Sequence, residues 1–270
     1  MIIGLNNNYL EVISLSQIRS KFYIETHNIY DMKLNLLLSK DKSHYKQELL
    51  NKIRKDIDIN KNYNGIFFNI QNEQIIIRNI ENIKSKKQNH IIGLIKCQIN
   101  QYMPIDLQNY SIKYKTIKDE NKQELIQGIL VPKNIINLCL DLSQELDINN
   151  KHLNIDFDIL ERLIKLKLIN GLHEDKISYI IKNRKDDLII NATYNKQVIE
   201  SHIRIKNDRT KAYLENLCES NSVYYYGVKD KFIEEIHMST LRIKSKLNIH
   251  NNGNDKEITT KYISALGMII

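Results

Sequence analysis

The sequence predicts an α/β fold with mixed sheets, because strand and helix patterns alternate along most of its 270 residues. Short apolar runs with period-two alternation indicate strands, and longer segments with apolar residues three or four apart indicate helices. Both prolines, Pro104 and Pro132, lie between His90 and Ile148. The rest of the chain therefore lacks proline, the residue that interrupts both helices and strands. A chain of this length can bury a sizeable core in one large or two modest domains.

The N-terminal part predicts strands followed by a helix. Tyr9–Leu15 and Phe22–Glu25 are expected to form a hairpin, and Asp31–Leu38 a third strand. Ser43–Ile57 predicts an amphipathic helix, because its apolar residues fall on one face and Ser43 can cap its first turn. Two short apolar runs then predict two further strands, Ile66–Ile70 and Ile75–Ile77.

The stretch that contains the prolines predicts a helix, a hairpin and a second helix. Its first helix has isoleucines every four residues, at Ile91, Ile95 and Ile99. Pro104 ends this helix, since the residue before a proline avoids the helical region. Tyr110, Ile112 and Tyr114 alternate as in a strand, and Leu125–Val131 predicts its partner. Pro132 then begins the next helix, where its missing N–H is tolerated.

The second half of the sequence repeats the order of strands followed by a helix. The predicted strands are Leu153–Phe157, Ile177–Ile181, Asp187–Thr193 and Gln197–Ile205. The predicted helices are Ile159–Leu168, Asp208–Cys218 and Asp230–Leu247, and Asn248–Glu257 is expected to be a polar loop. The final segment is Ser264–Met268.

Several short motifs in this order resemble the type IV pilus assembly protein PilM, an actin-like family related to the cell-division protein FtsA. The motifs are Tyr102-Met103-Pro104 after the first helix, Val131-Pro132-Lys133 after the hairpin, Ile155-Asp156 at a strand end, and Ala265-Leu266-Gly267 near the end. The resemblance covers roughly the first two-thirds of the chain and resumes in its last residues.

The resemblance implies an actin-like, two-lobed α/β fold with an inserted helix-hairpin-helix subdomain and a reduced second lobe. The expected division is 1–84 for the first subdomain, 85–150 for the insertion, 151–172 for the return to the first subdomain, and 173–270 for the second lobe. We therefore expect the segment from the Asp230 helix onward to omit strands and helices that would complete the second lobe.

The nucleotide-binding motifs of that family are degenerate in this sequence. PilM proteins with the site have an aspartate, a glycine, serines and a lysine after the first strand. The corresponding residues here are Gly4, Asn6, Asn7, Asn8, Tyr9 and Glu11. Ile177–Lys185 also lacks the aspartate and glycine expected where the second lobe begins, and no glycine pair is present to contact adenosine. The resemblance therefore implies a pseudo-ATPase without a bound ATP cofactor, which is not an enzyme.

No other motif predicts a catalytic or metal site. The eight histidines are dispersed, and no HExxH or G-x-S-x-G sequence occurs. The net charge of +8 could suit nucleic acid, but the lysines are interspersed with acidic residues and the chain has no tryptophan. We therefore expect no catalytic residue, no metal and no nucleic-acid partner.

The resemblance implies a binding function, since PilM proteins receive the N-terminal cytoplasmic peptide of the inner-membrane protein PilN between the first subdomain and the insertion. The expected partner is thus a PilN-like protein, and pilus motor ATPases and self-association stay open as further contacts. The residues expected to line the peptide groove are Tyr102, Met103, Pro104, Tyr110, Ile112 and Tyr114. The alternative is that Tyr102 and Met103 only pack the insertion onto the main sheet.

The expected location is the cytoplasm, at the inner face of the membrane and attached to it only through partners. The sequence predicts neither a signal peptide nor a transmembrane helix. Its three cysteines, Cys97, Cys139 and Cys218, have no CxxC spacing and are expected to be core residues in a reducing compartment. The alternatives to a pilus adaptor are an FtsA-type division protein, a GspL-like type II secretion protein and a sugar-kinase-like phosphotransferase.

Overall fold

The computed structural model of the chain describes residues 1–18, 21–39, 42–57, 63–81, 87–243, 249–250 and 262–269. The first elements are β1 (Ile2–Asn6), β2 (Leu10–Ile18), β3 (Lys21–Tyr30), α1 (Leu34–Leu38), α2 (Lys42–Asp56), β4 (Ile66–Gln71), β5 (Ile76–Glu81), α3 (Gln88–Tyr102), β6 (Tyr110–Lys118), β7 (Glu124–Pro132), α4 (Lys133–Glu145), β8 (Lys151–Ile155) and α5 (Asp156–Lys165). The later elements are β9 (Ile169–Asn170), β10 (Ser178–Asn183), β11 (Asp187–Tyr194), β12 (Gln197–Ile205), α6 (Asp208–Ser220), β13 (Ser222–Gly227), α7 (Lys231–Glu234), β14 (Ser239–Thr240), β15 (Arg242–Ile243), β16 (Ile249–His250) and α8 (Ile263–Ile269).

The first lobe is built on a mixed sheet whose described strands lie in the order β16-β3-β2-β1-β4-β8. β1 pairs antiparallel with β2 and parallel with β4, and β4 pairs parallel with β8. The carboxyl ends of β1, β4 and β8 therefore meet at one edge of the sheet, where open α/β sheets bind their ligands. The predicted hairpin of β2 and β3 and the predicted buried strand β4 are confirmed.

Two details of the N-terminal prediction are wrong. Asp31–Leu38 is not a strand: β3 ends at Tyr30 and α1 follows. Leucine is a good helix former, and Leu34 and Leu37, one turn apart, are both buried in the first-lobe core. Ser43 is not a cap, because α2 already includes Lys42. The apolar face predicted for this helix does enter the core.

β5, α3, β6 and β7 form a small unit with its own core. β7 lies between β5 and β6 in an antiparallel sheet, and α3 covers it with Ile91, Ile95 and Ile99. α3 ends at Tyr102, just before Pro104 as predicted. The small sheet begins at Ile76, so it includes residues that the sequence assigned to the first subdomain. α4 packs instead into the first-lobe core through Ile135, Leu138, Cys139 and Leu142.

α5 returns the chain to the first lobe. β8 ends at Ile155, so the strand predicted to reach Phe157 is shorter, and α5 begins at Asp156 rather than at Ile159. A carboxylate in the first turn of a helix interacts favourably with the helix dipole. Asp156 lies where the core strand β8 ends and the core helix α5 begins, so its carboxylate is at the N-terminus of that helix.

The second lobe is a sheet whose described strands lie in the order β12-β11-β10-β13-β14. β10, β11, β12 and α6 confirm the predictions for this region. The long helix predicted for Asp230–Leu247 is wrong, since α7 ends at Glu234 and His237 has a positive φ of 55°. β13 was not predicted, and it ends at Gly227, whose φ of +100° few other residues adopt.

The remaining predictions concern the chain end and single residues. Of the loop predicted for Asn248–Glu257, only Ile249–His250 lies within the described residues, and it pairs with β3. Cys139 is buried as expected, but Cys97 is exposed and Cys218 half-buried. None of the helices in the described part of the chain is both long enough and apolar enough to cross a membrane.

Candidate functional site

The candidate site is the cleft between the two lobes. On the first-lobe side lie the carboxyl ends of β1, β4 and β8 and the β1–β2 turn. On the second-lobe side lies the β10–β11 turn, and Asn8 donates a hydrogen bond to Asp186 across the gap at 3.3 Å. Two turns that face each other at the carboxyl ends of parallel strands are well placed to hold a ligand.

The six residues of the degenerate phosphate loop do not converge on one point. Asn6 and Tyr9 are buried, Asn7 is half-buried and Asn8 is exposed. Gly4 lies opposite Glu11 in the β1–β2 pairing. Glu11 does not face the cleft centre; its carboxylate is 2.8 Å from His27 Nε2, and His27 Nδ1 is 2.8 Å from the Tyr262 hydroxyl.

Arg184, in the β10–β11 turn, crosses the cleft. Its Nε and Nη2 donate to the two carboxylate oxygens of Asp187 at 2.5 and 2.6 Å. Its Nη1 donates to Asn6 Oδ1 at 2.7 Å and to the Gln71 carbonyl at 2.6 Å, both in the first lobe. The side chain is buried, with 3% of its surface exposed.

Lys182, two residues earlier in β10, makes a second set of contacts with the first lobe and α8. Its ammonium donates to Gln71 Oε1 at 2.7 Å, to Asp156 Oδ1 at 2.8 Å and to Ser264 Oγ at 2.8 Å. Ser264 in turn donates to Asp156 at 2.9 Å. Together with the contacts of Arg184, these residues form one buried group, which we call the interlobe cluster: Asn6, Gln71, Asp156, Lys182, Arg184, Asp187 and Ser264.

The charge state of Asp156 follows from these contacts. Burial alone would raise the pKa of this carboxyl, but the Lys182 ammonium and hydrogen bonds from Lys182, Asn69 and Ser264 outweigh burial and lower it. The pKa of the neighbouring Tyr226 is raised well above its usual value, first by burial and then by the Asp156 charge. The cluster therefore holds a charged carboxylate and ammonium beside a neutral phenol.

The sequence analysis named Asn6 and Asp156 but did not bring the members of this cluster together. Ile177–Lys185 was treated as a strand that lacks an aspartate and a glycine, and its cations were left unassigned. The local pattern offered little signal, since the face that period-two alternation assigns to Lys182 also carries Ser178 and Arg184, as a solvent-facing side would. A lysine at a core position requires a buried partner.

A cavity of about 240 Å³ opens beside the cluster, at the junction of the first lobe, the small unit and the second lobe. We call it the junction cavity. The residues that line it are Ile70–Glu73, Ile75–Arg78, Met103, Ile155–Phe157, Ile189 and Ser201–Ile203. Most of these side chains are apolar, and Gln71 and Asp156 belong also to the interlobe cluster.

Two polar groups in the wall of the junction cavity have no hydrogen-bond partner among the described residues. They are Asn72 Nδ2, on a side chain that is 3% exposed, and His202 Nε2. Burial, and then the Arg204 charge, lowers the pKa of His202, so its imidazole is neutral at pH 7. Both atoms are closed to solvent, so a ligand in the cavity reaches them only if a side chain moves.

Of the six residues predicted to line a peptide groove, the structure places four, Met103, Tyr110, Ile112 and Tyr114, against the core of the small unit. Met103 lines the junction cavity. Tyr102 is 78% exposed and Pro104 is exposed. Tyr110, Ile112 and Tyr114 are half-buried and pack against the core of the small unit.

A second buried carboxylate, Glu161 on α5, joins the small unit to the second lobe. It accepts hydrogen bonds from Lys115 of β6 at 2.6 Å and from the Val198 N–H of β12 at 2.9 Å. Burial would raise its pKa, but Lys115 and the other donors lower it. Beside it, the side-chain amide of Gln127 donates to the carbonyls of Val198 and Ile199.

Four other cavities in the described part of the chain have no residue of the interlobe cluster in their walls. Two of them have Tyr63 and Asn64 in their walls, next to residues outside the described part of the chain. A third is wide and mainly polar, between the β6–β7 turn and the base of the second lobe. Among the described residues no group of three or more His, Cys, Asp or Glu side chains is arranged to hold a metal ion.

Comparisons with solved structures agree on the fold. No protein-family model matches the sequence, and a search of curated proteins finds no match. The solved PilM-PilN type IV pilus biogenesis complex matches with a TM-score of 0.69 and 9% identity, over 98% of this chain and 96% of that chain. At this identity the match shows the fold alone.

Two further solved structures match over nearly the whole chain. A Bacteroides thetaiotaomicron protein described as having an actin-like ATPase fold and unknown function matches with a TM-score of 0.54 and 13% identity, over 98% of this chain and 94% of that chain. The cytoplasmic domain of EpsL, an inner-membrane component of the Vibrio cholerae type II secretion system, also has a TM-score of 0.54, with 9% identity over 98% and 93% of the two chains. The chain therefore has the actin-like fold that the sequence resemblance implied.

Proposed function

We propose that this protein is an adaptor of a type IV pilus assembly machinery. It binds the N-terminal cytoplasmic peptide of a PilN-like inner-membrane protein and couples that membrane platform to the assembly motors. It works in the cytoplasm, at the inner face of the membrane, and does not turn over ATP. The fold shared with the PilM-PilN complex and with the EpsL cytoplasmic domain supports this proposal.

The junction cavity is the observation that carries the proposal. Its volume of about 240 Å³ is below the range of about 300–1,000 Å³ usual for small-molecule and cofactor pockets, so it suits one or two side chains of a peptide better than a nucleotide. Ile76, Met103 and Phe157 offer an apolar surface. A peptide would place an apolar side chain in the cavity.

The interlobe cluster supports the absence of ATP turnover. Phosphate-binding loops rely on glycines that let backbone N–H groups approach the phosphates. In this chain the two turns that face the cleft carry Asn6, Asn8 and Arg184, and the Arg184 side chain occupies the space between them. Binding of MgATP with a micromolar Kd, measured by calorimetry, would contradict this part of the proposal.

The peptide proposal is tested with a fluorescently labelled synthetic peptide that carries the N-terminal cytoplasmic residues of the PilN-like protein from the same organism. We expect binding with a Kd of about 10–100 µM or tighter in fluorescence anisotropy. Met103→Ala removes most of one apolar wall residue and should weaken binding about tenfold or more.

Tyr102→Ala is the matched control, because Tyr102 is the neighbouring residue but lies outside the junction cavity. It should leave the affinity within about twofold of the original. Equal losses for the two variants would move the site to the exposed Tyr102 corner that the sequence suggested. No binding of the peptide to the unaltered protein would refute the proposed function.

The second candidate function is a secretion adaptor, favoured by the match with the EpsL cytoplasmic domain. A secretion adaptor would have the same fold and would also bind a membrane protein. Only the identity of that membrane protein distinguishes the two candidate functions. The same anisotropy titration with the corresponding tail of a type II secretion membrane protein, in competition with the PilN-like peptide, decides between them. Preference for the secretion tail would replace the pilus assignment.

A further inference from the structure

Two cations of the second lobe, Lys182 in β10 and Arg184 in the turn that follows it, cross the cleft and contact the first lobe. We propose that Lys182 and Arg184 act as an internal ligand that fastens the lobes together and so positions the walls of the junction cavity without any bound nucleotide. The fastening stands by itself, and its effect on peptide binding rests on the proposed function.

Arg184 has almost no hydrogen-bonding capacity left for an incoming anion. A guanidinium has five N–H donors, and the contacts with Asp187, Asn6 and Gln71 use four of them. Asp187 also neutralises its charge inside the second lobe. A phosphate would therefore have to displace a paired, buried side chain rather than enter a prepared site.

Lys182 likewise has no N–H donor left for an incoming anion. An ammonium has three donors, and all three are used by Gln71, Asp156 and Ser264. These acceptors come from β4 and α5 of the first lobe and from α8, which packs on α5, so one side chain ties three separate elements to β10. Buried ion pairs of this kind add little net stability but can select one arrangement of the parts they join.

The same contacts reach the walls of the junction cavity. Gln71 and Asp156 line the cavity and also bind the two cations. On the other side, Lys182 is the direct partner of Ile189 in the β10–β11 pairing, and Ile189 lines the cavity too. Loss of either cation should therefore shift the second-lobe wall relative to the first-lobe wall.

The fastening is tested by hydrogen exchange, read by mass spectrometry in the absence of peptide, with and without MgATP. In the unaltered protein MgATP should leave exchange unchanged in the β1–β2 turn and in the β10–β11 turn. Arg184→Met should raise exchange in both turns about tenfold or more, because these amides then open locally. Arg204→Met is the matched control, since Arg204 is a half-buried cation that stacks on Tyr213 within the second lobe.

A milder variant covers the case in which Arg184→Met does not fold. Asn6→Ala removes one first-lobe acceptor and keeps the Arg184–Asp187 pair, so the same turns should exchange faster, by about threefold or more. Unchanged hydrogen exchange in the two turns of both variants would overturn the internal-ligand proposal. Slower exchange in these turns of the unaltered protein on addition of MgATP would overturn it as well. Faster exchange in these turns for Arg204→Met would also overturn it.

The peptide titration separates this inference from the proposed function. If the peptide binds, Arg184→Met should weaken it about tenfold, and an unchanged affinity with loosened turns would refute the link to the cavity. If the peptide does not bind the unaltered protein, the proposed function fails, while hydrogen exchange still decides whether the cations fasten the lobes.

Discussion

Replacing Lys182 by methionine should destabilise the protein at neutral pH and much less in acid. The variant leaves Asp156 buried without its ammonium partner, a change that typically costs about 3–5 kcal/mol. Hydrogen bonds from Asn69, Ser264 and Tyr226 to the carboxylate remain. Protonating a carboxyl of pKa about 3.9 at pH 7 requires about 4 kcal/mol, which limits the loss, so we expect about 3–4 kcal/mol.

The pH dependence changes sign between the two proteins. In the unaltered protein the pKa of Asp156 is lowered, so its contribution to stability is present above the unfolded pKa and lost as the pH falls through the folded value. Without Lys182, burial is the largest remaining effect and raises the pKa of Asp156. The penalty is then full at neutral pH and disappears as the pH falls below the unfolded pKa.

Urea unfolding followed by circular dichroism and tyrosine fluorescence measures both effects, since the chain has 15 tyrosines and no tryptophan. Lys182→Met/Asp156→Asn is the control, because removal of both charges should cost only about 1–2 kcal/mol. A deficit for Lys182→Met below about 1 kcal/mol, or an equal deficit at pH 7 and near pH 4, would refute the assignment of a charged, desolvated pair.

Three further changes test the packing of α8, the propensity of α3 and the junction of the small unit. Gly267→Ala should cost about 1–3 kcal/mol in thermal unfolding, because its Cβ would lie 2.4 Å from Ile159. Gly93→Ala, whose Cβ meets nothing within 4 Å in α3, should instead stabilise by about 0.5–1 kcal/mol. Glu161→Gln weakens the contact with Lys115, so limited proteolysis should release the small unit faster. Because the pKa of Glu161 is lowered, the unaltered protein should become similarly sensitive to protease as the pH falls through that pKa.

Each of these has an outcome that would contradict it. Equal effects of the two glycine substitutions would mean that α8 does not press closely on α5. Unchanged proteolysis of Glu161→Gln would mean that the small unit is held by its apolar contacts alone.

The sequence predicted most of the regular elements, because local patterns determine them. The spacing of Ile91, Ile95 and Ile99 predicted α3, and alternation predicted β11 and β12 almost to their ends. The errors lie where local preference is ambiguous: Leu34–Leu38 suits a strand or a helix by composition, and tertiary burial decides. The helix predicted after Asp230 ends at Glu234, and the chain turns at His237, whose φ is positive.

The candidate site was less accessible to sequence reasoning, because its members are far apart in the chain. Lys182 contacts Gln71 and Ser264, and nothing in the local sequence of any of the three indicates the other two. Lysine side chains are normally exposed, so a lysine in the sequence predicts a surface position rather than a buried one. The predicted groove likewise joined residues that are neighbours in sequence, whereas in the structure Met103 faces a cavity and Tyr102 faces solvent.

The amides that join the small unit to β12 have a further consequence for solubility. β12 is the terminal strand of its sheet, and such strands can pair with other chains and start aggregation. Gln127 and Asn79 bind the carbonyls of Val198 and Ile199, so they occupy acceptors that a foreign strand would need. Detachment of the small unit would therefore leave these carbonyls unpaired at the edge of the sheet, where another strand could bind them.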